Sequence, residues 1–503
     1  MQVEPAAEVF AARYAAGEPQ VVWTTLVADL ETPVSAFLKV ANRPMSFLLE
    51  SVEGGAARGR YSIIGLEPDV VWRATGASAE ISRGRFASDG FAACPQSPLE
   101  ALRALLAESR IALPHDLPPM AAGLFGYLGY DMVRLMEDLP LPNPDPIGLA
   151  DALLTRPTLV IVFDTVKDTI TVVTPVRPQP GVSGKAAFAR ATERISGVVD
   201  ALDAPLDKQS AGEEAGPITV PAQSNTDPAE FKAMVLRAKE YIAAGDIFQV
   251  VLSQRFEAPF PLPPFSLYRA LRRVNPAPFL YFLDYGGFAI AGSSPEILVR
   301  LRGSTVTIRP IAGTRPRGAT PHEDKALEDE LLADPKERAE HLMLLDLGRN
   351  DVGRVAAIGT VNVTDQFFIE RYSQVMHIVS NVEGKLADGR DALDALVGGF
   401  PAGTVSGAPK VRAMQIIDEL EKEKRGLYAG CVGYFSAAGE MDTCIVLRTA
   451  LIKDGKMFVQ AGAGIVADSE PNFEQQECVN KAKALFRAAD EARRFASGGK
   501  RGQ

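Results

Sequence analysis

Apolar residues recur at two spacings along the chain, and each spacing predicts one kind of secondary structure. Alternating or continuous short apolar runs predict strands, and apolar residues three or four apart predict helices. The predicted strands are 21–30, 158–164, 247–257, 279–285, 288–301 and 304–313. The predicted helices are 97–110, one within 227–246 that Asp227 caps, 324–346, 391–399, 408–423 and 472–495. Strands come in runs rather than alternating with helices, which favours an α+β fold with antiparallel sheets over a parallel Rossmann sheet.

The hydrophobic pattern is interrupted once over a long stretch. Residues 203–226, "DAPLDKQSAGEEAGPITVPAQSNT", are rich in Pro, Ser, Gly and Ala. Such composition is typical of a linker. We therefore predict an N-terminal domain of residues 1–202, a linker of 203–226 and a second domain of 227–495. The last residues, 496–503, are predicted to form a flexible tail.

Composition narrows the possible functions. The chain has 503 residues, 47% of them hydrophobic and 23% charged, as in ordinary globular proteins. Its net charge of −10 argues against nucleic-acid binding, which needs a basic surface. No run reaches about 18 apolar residues, so no membrane span is predicted. The N-terminus lacks a signal-peptide pattern and the four cysteines form no C-x-x-C pair, so we expect a cytoplasmic protein without a zinc or redox motif.

Two pairs of glutamates stand out on separate predicted helices. Glu337 and Glu340 are three residues apart, as are Glu474 and Glu477, so each pair lies on one helix face. Carboxylates from two facing helices suit a hard cation such as Mg²⁺, which binds one or two carboxylates together with water and substrate. The alternative is a solvated surface, with Glu337 acting as the capping-box partner of Asp334.

A glycine-rich loop suggests an anion site. The stretch "GTVSGAPK", residues 403–410, runs into a predicted helix, whose free N–H groups attract anions, and Thr404 adds a hydroxyl. An ordinary loop and helix start explain it equally well. Arg448 lies within an otherwise apolar strand, where an arginine is either at a strand end or paired with a carboxylate in a site. The stretch "GAGIVA", residues 462–467, matches a dinucleotide fingerprint weakly, because a turn rather than a helix follows it.

Two titratable residues are candidates for proton transfer. His377 lies on a predicted strand, where a histidine is more often part of the core than a catalyst. Glu296 follows Ser-Pro where a strand starts, and it suits a general acid if burial raises its pKa above about 4.3.

Seven motifs occur in an order that resembles the chorismate-utilising enzymes. They are "PIAGTRPRG", "AEHLMLLDLGRND", "VMHIVS", "GTVSGAPKVRAM", "DTCIVLR", "QAGAG" and a final E-x-x-E-x-x-x-K, and they cover about 225–490. In the N-terminal part, "LLES" and "RYSIIG" are similar to the smaller domain of the anthranilate-forming branch of that family. The resemblance implies an α+β fold with two packed antiparallel β-sheets flanked by helices.

The resemblance also implies roles for individual residues. The residues expected to hold Mg²⁺ are Glu340 and Glu477, with Glu337 and Glu474 beside them. The residues expected to hold the carboxylates of the substrate are Gly313, Thr314, Tyr428 and Arg448, together with the backbone of Gly462, Ala463 and Gly464, with Lys481 nearby. The residues expected to flank the reacting ring are Glu296, His377 and Thr404. The arginines Arg309, Arg315 and Arg317 are expected only to shape the "AGT" loop.

Two positions distinguish the branches of the family. Isochorismate and salicylate synthases carry a lysine where this chain has Gln249, and that lysine activates water. Aminodeoxychorismate synthases carry a lysine where this chain has Ala312. The chain is therefore expected to convert chorismate and ammonia to anthranilate and pyruvate, the first step of tryptophan biosynthesis. Aminodeoxychorismate synthesis and a non-catalytic protein that binds chorismate or tryptophan remain the alternatives.

Two binding partners follow from the same resemblance. The chain has no glutamine amidotransferase motif, so a partner subunit with that activity is expected to supply ammonia from glutamine. Tryptophan is expected as a feedback inhibitor. The residues expected to bind tryptophan are Glu50, Ser51, Pro278, Phe279 and Leu280. The alternative is that these two segments only pack as strands.

Overall fold

The computed structural model describes residues 1–51, 59–84, 89–206, 222–372 and 375–495. The α-helices in these ranges are α1 (Ala7–Ala15), α2 (Pro33–Ala36), α3 (Pro98–Glu108), α4 (Gly184–Asp203), α5 (Pro228–Ala243), α6 (Pro264–Val274), α7 (Pro321–Ala333), α8 (Pro335–Gly353), α9 (Ala392–Gly399), α10 (Lys410–Leu420) and α11 (Pro471–Ala492). None of these described helices is long and apolar enough to cross a membrane.

The strands in the same ranges are more numerous. They are β1 (Gln20–Val27), β2 (Ser46–Ser51), β3 (Tyr61–Thr75), β4 (Ser78–Arg83), β5 (Phe91–Ala93), β6 (Gly123–Leu128), β7 (Ala152–Asp164), β8 (Thr169–Val176), β9 (Gln223–Ser224), β10 (Gln249–Pro259), β11 (Phe279–Asp284), β12 (Ala289–Ser294), β13 (Ile297–Arg302), β14 (Thr305–Ile308), β15 (Ile311–Pro316), β16 (Asn362–Arg371), β17 (Val375–Lys385), β18 (Gly407–Ala408), β19 (Cys431–Ser436), β20 (Met441–Ile445), β21 (Thr449–Lys453) and β22 (Lys456–Ile465).

Strand pairing is antiparallel throughout the described part of the chain. Strands from the two ends of the chain pair with each other, because β2 is hydrogen-bonded to β11 and β6 to β19. The N-terminal and C-terminal segments therefore contribute to one hydrogen-bonded network. The domain boundaries stay a prediction, and most of the predicted linker and the predicted tail lie outside the described residues.

Alternating side chains along the strands build separate cores on the two faces of the sheet. On β11, Leu280 and Phe282 pack with α6 and α11, whereas Tyr281 and Leu283 join a cluster made of strand and loop residues. That cluster fills the space between two sheet layers, since side chains two residues apart share a face. The outer faces are covered by helices, for example by Leu396 of α9. The predicted α+β fold with packed antiparallel sheets flanked by helices is confirmed.

Prolines divide three predicted elements that the hydrophobic pattern had joined. The predicted helix 324–346 is two helices, α7 and α8, because Pro335 disfavours helical geometry at the residue before it. Asp334 occupies the junction and accepts a 2.9 Å hydrogen bond from the backbone N–H of Lys336. The predicted strands 288–301 and 304–313 are likewise divided at Pro295 and Pro310. Proline has no N–H to donate to a neighbouring strand, so a ladder is interrupted there.

Candidate active site

A buried carboxyl group lies at the turn between β12 and β13. Glu296 is 7% exposed. The Thr404 hydroxyl, in the short turn Gly403–Val405 that follows α9, donates to Glu296 Oε1 at 3.3 Å. Burial raises the pKa of Glu296 to about 8, although the Thr404 hydroxyl partly opposes this. The carboxyl is therefore largely protonated near pH 7 and has a proton to donate.

The neutral imidazole of His377 lies on β17, the strand paired with the "AGT" segment of β15. Thr314 of β15 is paired with His377 of β17, next to a bulge at Gly313, whose φ of +75° favours glycine. The Nδ1 atom of His377 is 3.0 Å from the Gly313 carbonyl oxygen and 3.0 Å from the Thr314 hydroxyl. Because a carbonyl can only accept, the proton is on Nδ1 and the lone pair is on Nε2. Burial lowers the pKa of His377 to about 4, so the ring is neutral near pH 7.

An unpaired cation faces the same group of residues. Arg448 lies between β20 and β21 with a positive φ of 49°, and it is half-buried. Its guanidinium makes no hydrogen bond or ion pair with any residue in the described ranges, and burial lowers its pKa. Its charge interacts with His377 and with Tyr372. The Tyr372 ring lies 5.5 Å from the His377 ring between centroids. Tyr372 was not anticipated from the sequence, since nothing in its local pattern marks it.

Glycines on β22 allow neighbouring side chains to approach the backbone of this strand closely. A Cβ atom at Gly462 would lie 2.7 Å from the Tyr428 hydroxyl oxygen, and one at Gly464 would lie 2.5 Å from Gln249 Nε2. The Lys481 ammonium donates to the Gly462 carbonyl at 2.8 Å. Gln249 Oε1 is buried and has no hydrogen-bond partner among the described residues. The backbone at Gly462 and Gly464, which carries no side chains, is therefore surrounded by Tyr428, Gln249 and Lys481.

The four predicted metal ligands form a like-charged cluster between α8 and α11. Burial raises the pKa of Glu340, and the charges of Glu337 and Glu477 raise it further. Burial and the charge of Glu477 likewise raise the pKa of Glu474. A cation site requires carboxylates whose negative charge is not fully balanced by nearby positive side chains.

Two cations balance part of that charge. Arg315 contacts the Glu337 carboxylate at 3.0 Å, and Lys481 contacts Glu477 at 2.6 Å. The capping box suggested for Glu337 is not formed, because the Asp334 N–H donates to Glu330 instead. Within the described ranges, no group of three or more His, Cys, Asp or Glu side chains is close enough to hold a metal by itself. Mg²⁺ needs only one or two carboxylates when water and substrate complete its coordination, so the cluster fits it.

The three arginines around the "AGT" loop are all ion-paired. Arg309 pairs with Glu370, and Arg317 binds Asp324 at 2.8 Å. Arg315 bridges β15 to α7 and α8, through Glu330 and Asp334 as well as Glu337. Arg315 and Arg317 hold the loop against the acidic helices, Arg309 ties it to β16, and none of the three presents an unpaired guanidinium to the site.

The predicted site residues form two adjoining groups. The first group contains Glu296, Thr404, His377, Thr314 and Arg448. The second contains Tyr428, Gly462, Gly464, Lys481 and the four glutamates. They meet at Gly313, where an added Cβ would lie 3.2 Å from Glu337 Oε2. The side chain of Ala463 packs into the core beside α5, so that only its backbone, the part named in the prediction, can face the site.

The residues predicted to bind tryptophan lie elsewhere, at a cavity of about 200 Å³. Ser51 and Phe279 line the cavity from a paired position on β2 and β11. Glu50 and Leu280 also border it, but the Glu50 carboxylate is held by Tyr268 and, at 2.8 Å, by Arg272 of α6. Pro278 is not among the residues lining the cavity.

Further residues around this cavity were not anticipated from the sequence. Arg302 donates to Asp442 at 2.7 Å and to the Tyr434 hydroxyl at 2.8 Å. The second oxygen of Asp442, Oδ1, is buried without a hydrogen-bond partner in the described ranges. These residues come from β13, β19 and β20, far along the chain from β2.

Comparison with known proteins places this geometry in a family. A family model described as "chorismate binding enzyme" matches residues 52–487. Anthranilate synthase component 1 of Cereibacter sphaeroides is 59% identical, over 97% of this chain and 98% of that protein. The crystal structure of anthranilate synthase component I from Streptococcus pneumoniae is 36% identical, with a TM-score of 0.75, over 92% of this chain and 98% of that one. A menaquinone-specific isochorismate synthase from Escherichia coli shares the fold at 20% identity, with a TM-score of 0.70 over 96% of this chain and 98% of that one.

The chain belongs to the chorismate-binding enzyme family: it has the fold of that family and is an enzyme acting on chorismate. Within that family, the relatives it matches along nearly its whole length carry the name anthranilate synthase component 1. The number in that name implies a second component.

Proposed function

We propose that this chain converts chorismate and ammonia into anthranilate and pyruvate. The observation that carries the proposal is the buried carboxyl of Glu296, whose pKa burial raises, together with the unpaired guanidinium of Arg448; both interact electrostatically with Tyr372. An acid and a free cation together suit an anionic substrate that must lose a hydroxyl group. The names of the relatives point to the same activity.

Substrate binding follows from the groups that lack partners. Chorismate carries two carboxylates, and a guanidinium binds a carboxylate through two parallel hydrogen bonds. Arg448 is available for one carboxylate because no described residue neutralises it. The Thr314 hydroxyl and the bare backbone at Gly462 and Gly464 supply further contacts, which a larger residue at either glycine would block.

Proton transfer is divided between two side chains. Ammonia adds to ring carbon 2, and the hydroxyl on carbon 4 leaves as water with the proton from Glu296; the ammonium group so formed loses one proton, which restores the Glu296 carboxyl. The Nε2 lone pair of His377 then accepts the proton from carbon 2 as the bond between ring carbon 3 and the enolpyruvyl oxygen breaks. The ring becomes aromatic, and the released enolpyruvate takes up this proton and becomes pyruvate. The two environments suit these tasks, since burial keeps Glu296 protonated and His377 neutral.

Mg²⁺ is the proposed cofactor. Glu340 and Glu477 would hold it, with Glu337 and Glu474 beside them, because these carboxylates form a cluster with excess negative charge. When bound, the ion neutralises the ring carboxylate of the substrate.

Two positions favour this reaction over its relatives in the family. Gln249 lies beside Gly464 and carries an amide, which cannot deprotonate water as a lysine amine can. Ala312 is buried next to Gly313 and brings no amine to the site. Ammonia is itself a nucleophile and needs no base for its attack.

The proposal includes a partner subunit and an inhibitor. A glutamine amidotransferase subunit would supply ammonia, as the word component in the relatives' names suggests. Tryptophan would bind the cavity at Ser51, with its ring against Phe279 and its ammonium at the unpaired oxygen of Asp442. A Ser51→Arg variant should then lose tryptophan inhibition and keep its rate, whereas unchanged inhibition would contradict the assignment.

The deciding experiment is an activity assay on the chain alone. We expect anthranilate fluorescence from chorismate, Mg²⁺ and ammonium at alkaline pH, and no fluorescence when the metal is omitted. If anthranilate is absent, a coupled assay with aminodeoxychorismate lyase detects 4-aminobenzoate and identifies the alternative branch. Absence of both products would leave a non-catalytic binding protein.

A further inference from the structure

A cavity of about 380 Å³ lies away from both sites described above, between α4 and the strands β3, β7 and β8. Five of the described residues that line it are arginines: Arg83, Arg156, Arg177, Arg190 and Arg194. Two carboxylates, Glu67 and Asp69, also line it, so the lining is three positive charges in excess. Such a concentration of positive charge is notable in a chain whose net charge is −10.

Carboxylates neutralise only part of the arginine group. Arg156 is bound by Asp69 at 2.8 Å and by Glu108 at 2.9 Å, and Glu108 also binds Arg83 at 2.7 Å. These contacts fix two of the guanidinium groups that line the cavity.

Arg177 differs from those two, because it has no carboxylate partner in the described ranges. Its one hydrogen bond there goes to the Ser109 carbonyl oxygen at 3.1 Å, and its Nε is buried without a partner. Burial and then the nearby charge of Arg156 lower the pKa of Arg177 to about 10. A buried guanidinium donor without a partner is unfavourable unless an anion completes its contacts.

Two further arginines border the cavity from one face of α4. Arg190 and Arg194 are one helical turn apart, exposed, and without an ion pair to a described residue. Like charges at this spacing repel each other and destabilise a helix. Ala187 and Ala191 lie between them and the sheet, and their small side chains leave the space open.

We propose that this cavity binds a small organic phosphate. The planar guanidinium groups of Arg177, Arg190 and Arg194 suit bidentate contacts to phosphate oxygens. Val176 and Val182 add apolar surface to a lining that also contains Tyr14 and Gln179, and this surface accommodates the organic part of such a ligand. The site goes beyond the proposed reaction, which uses neither this cavity nor these arginines.

Calorimetric titration of the full chain tests the proposal with three probes at fixed ionic strength: phenyl phosphate, inorganic phosphate and benzoate. Phenyl phosphate should bind best, because it alone offers both a phosphate and an apolar group. Equal affinity for phenyl phosphate and inorganic phosphate would overturn the assignment of an organic ligand. Absence of binding by all three probes would overturn the site.

Paired variants separate a built site from general electrostatic attraction. Arg190→Ala/Arg194→Ala removes two exposed charges and should weaken phenyl phosphate binding at least about tenfold. The matched control, Lys185→Ala/Arg487→Ala, removes two exposed charges outside the cavity and should leave the affinity within about twofold. Equal weakening in both variants would overturn the proposal, as would binding of an acidic peptide or a nucleic acid in preference to phenyl phosphate.

Discussion

Glu296→Gln changes one atom of a buried carboxyl group and removes its ability to ionise. Burial raises the pKa of Glu296 from 4.5 to about 8. A tenfold change in an acid dissociation constant corresponds to about 1.4 kcal/mol, so ionising this group in the folded chain costs on the order of 5 kcal/mol more than in water. Between these two pKa values the folded chain keeps a proton that the unfolded chain has released. The free energy of unfolding therefore falls by about 1.4 kcal/mol per pH unit as the pH rises.

The glutamine variant lacks this proton and hence this dependence. Relative to the parent chain, it should gain about 3 kcal/mol of stability between pH about 5.5 and about 7.5. Urea denaturation of both chains at the two pH values measures the difference. Glu8→Gln, the same change at an exposed position on α1, is the matched control for the chemistry of the substitution.

The same variant should lose activity while it gains stability. Without a proton for the leaving hydroxyl, kcat should fall by about 10²- to 10⁴-fold, the range typical of a missing general acid. A stability difference that stays constant with pH would refute the raised pKa. Full activity in Glu296→Gln would refute its role as the acid, even if the pKa were raised.

Three further substitutions test two residues of the site and one buried ion pair. Arg448→Gln should raise KM for chorismate by about 10- to 150-fold, since a hydrogen bond to a charged group contributes about 1.5–3 kcal/mol, and a change confined to kcat would contradict this. His377→Asn keeps a donor for the Gly313 carbonyl but lacks Nε2, so kcat should fall about 10²- to 10⁴-fold at nearly constant KM, and an unchanged kcat would exclude the proton transfer. Lys410→Met leaves Asp351, 4% exposed and 2.7 Å from Lys410, without its partner. Denaturation should show a loss of about 3–5 kcal/mol, which the double variant with Asp351→Leu recovers in large part.

Local chemistry in the sequence is enough to predict many element boundaries. Asp227 and Pro228 mark the start of α5, since the aspartate side chain accepts from the Ala229 N–H at 2.8 Å. The alternation of apolar residues on β11 likewise predicts a strand, because it depends only on the pleat. The hydrophobic pattern failed at Pro295, Pro310 and Pro335. There it predicted one element where the structure has two, because the apolar periodicity continues across a proline but the backbone hydrogen bonding does not.

Many of the residues in the site can also be recognised from the sequence alone. The paired glutamates of α8 and α11 are recognisable from spacing alone, because residues three apart share a helix face. The motifs around Gly313 and Thr404 are recognisable by resemblance. None of these signals states how far apart two helices lie or which side chain is buried.

Only the tertiary structure decided the state of each group, because burial and cross-strand partners come from distant segments. Glu296 holds its proton since β12, β13 and the turn at Thr404 enclose it. Tyr372 borders the site only because β17 returns beside β15, next to His377. Glu50, predicted to meet tryptophan, is bound by Arg272, more than two hundred residues away in the chain. Sequence determines which side chains are available, and packing determines their partners, their exposure to water and therefore their charge.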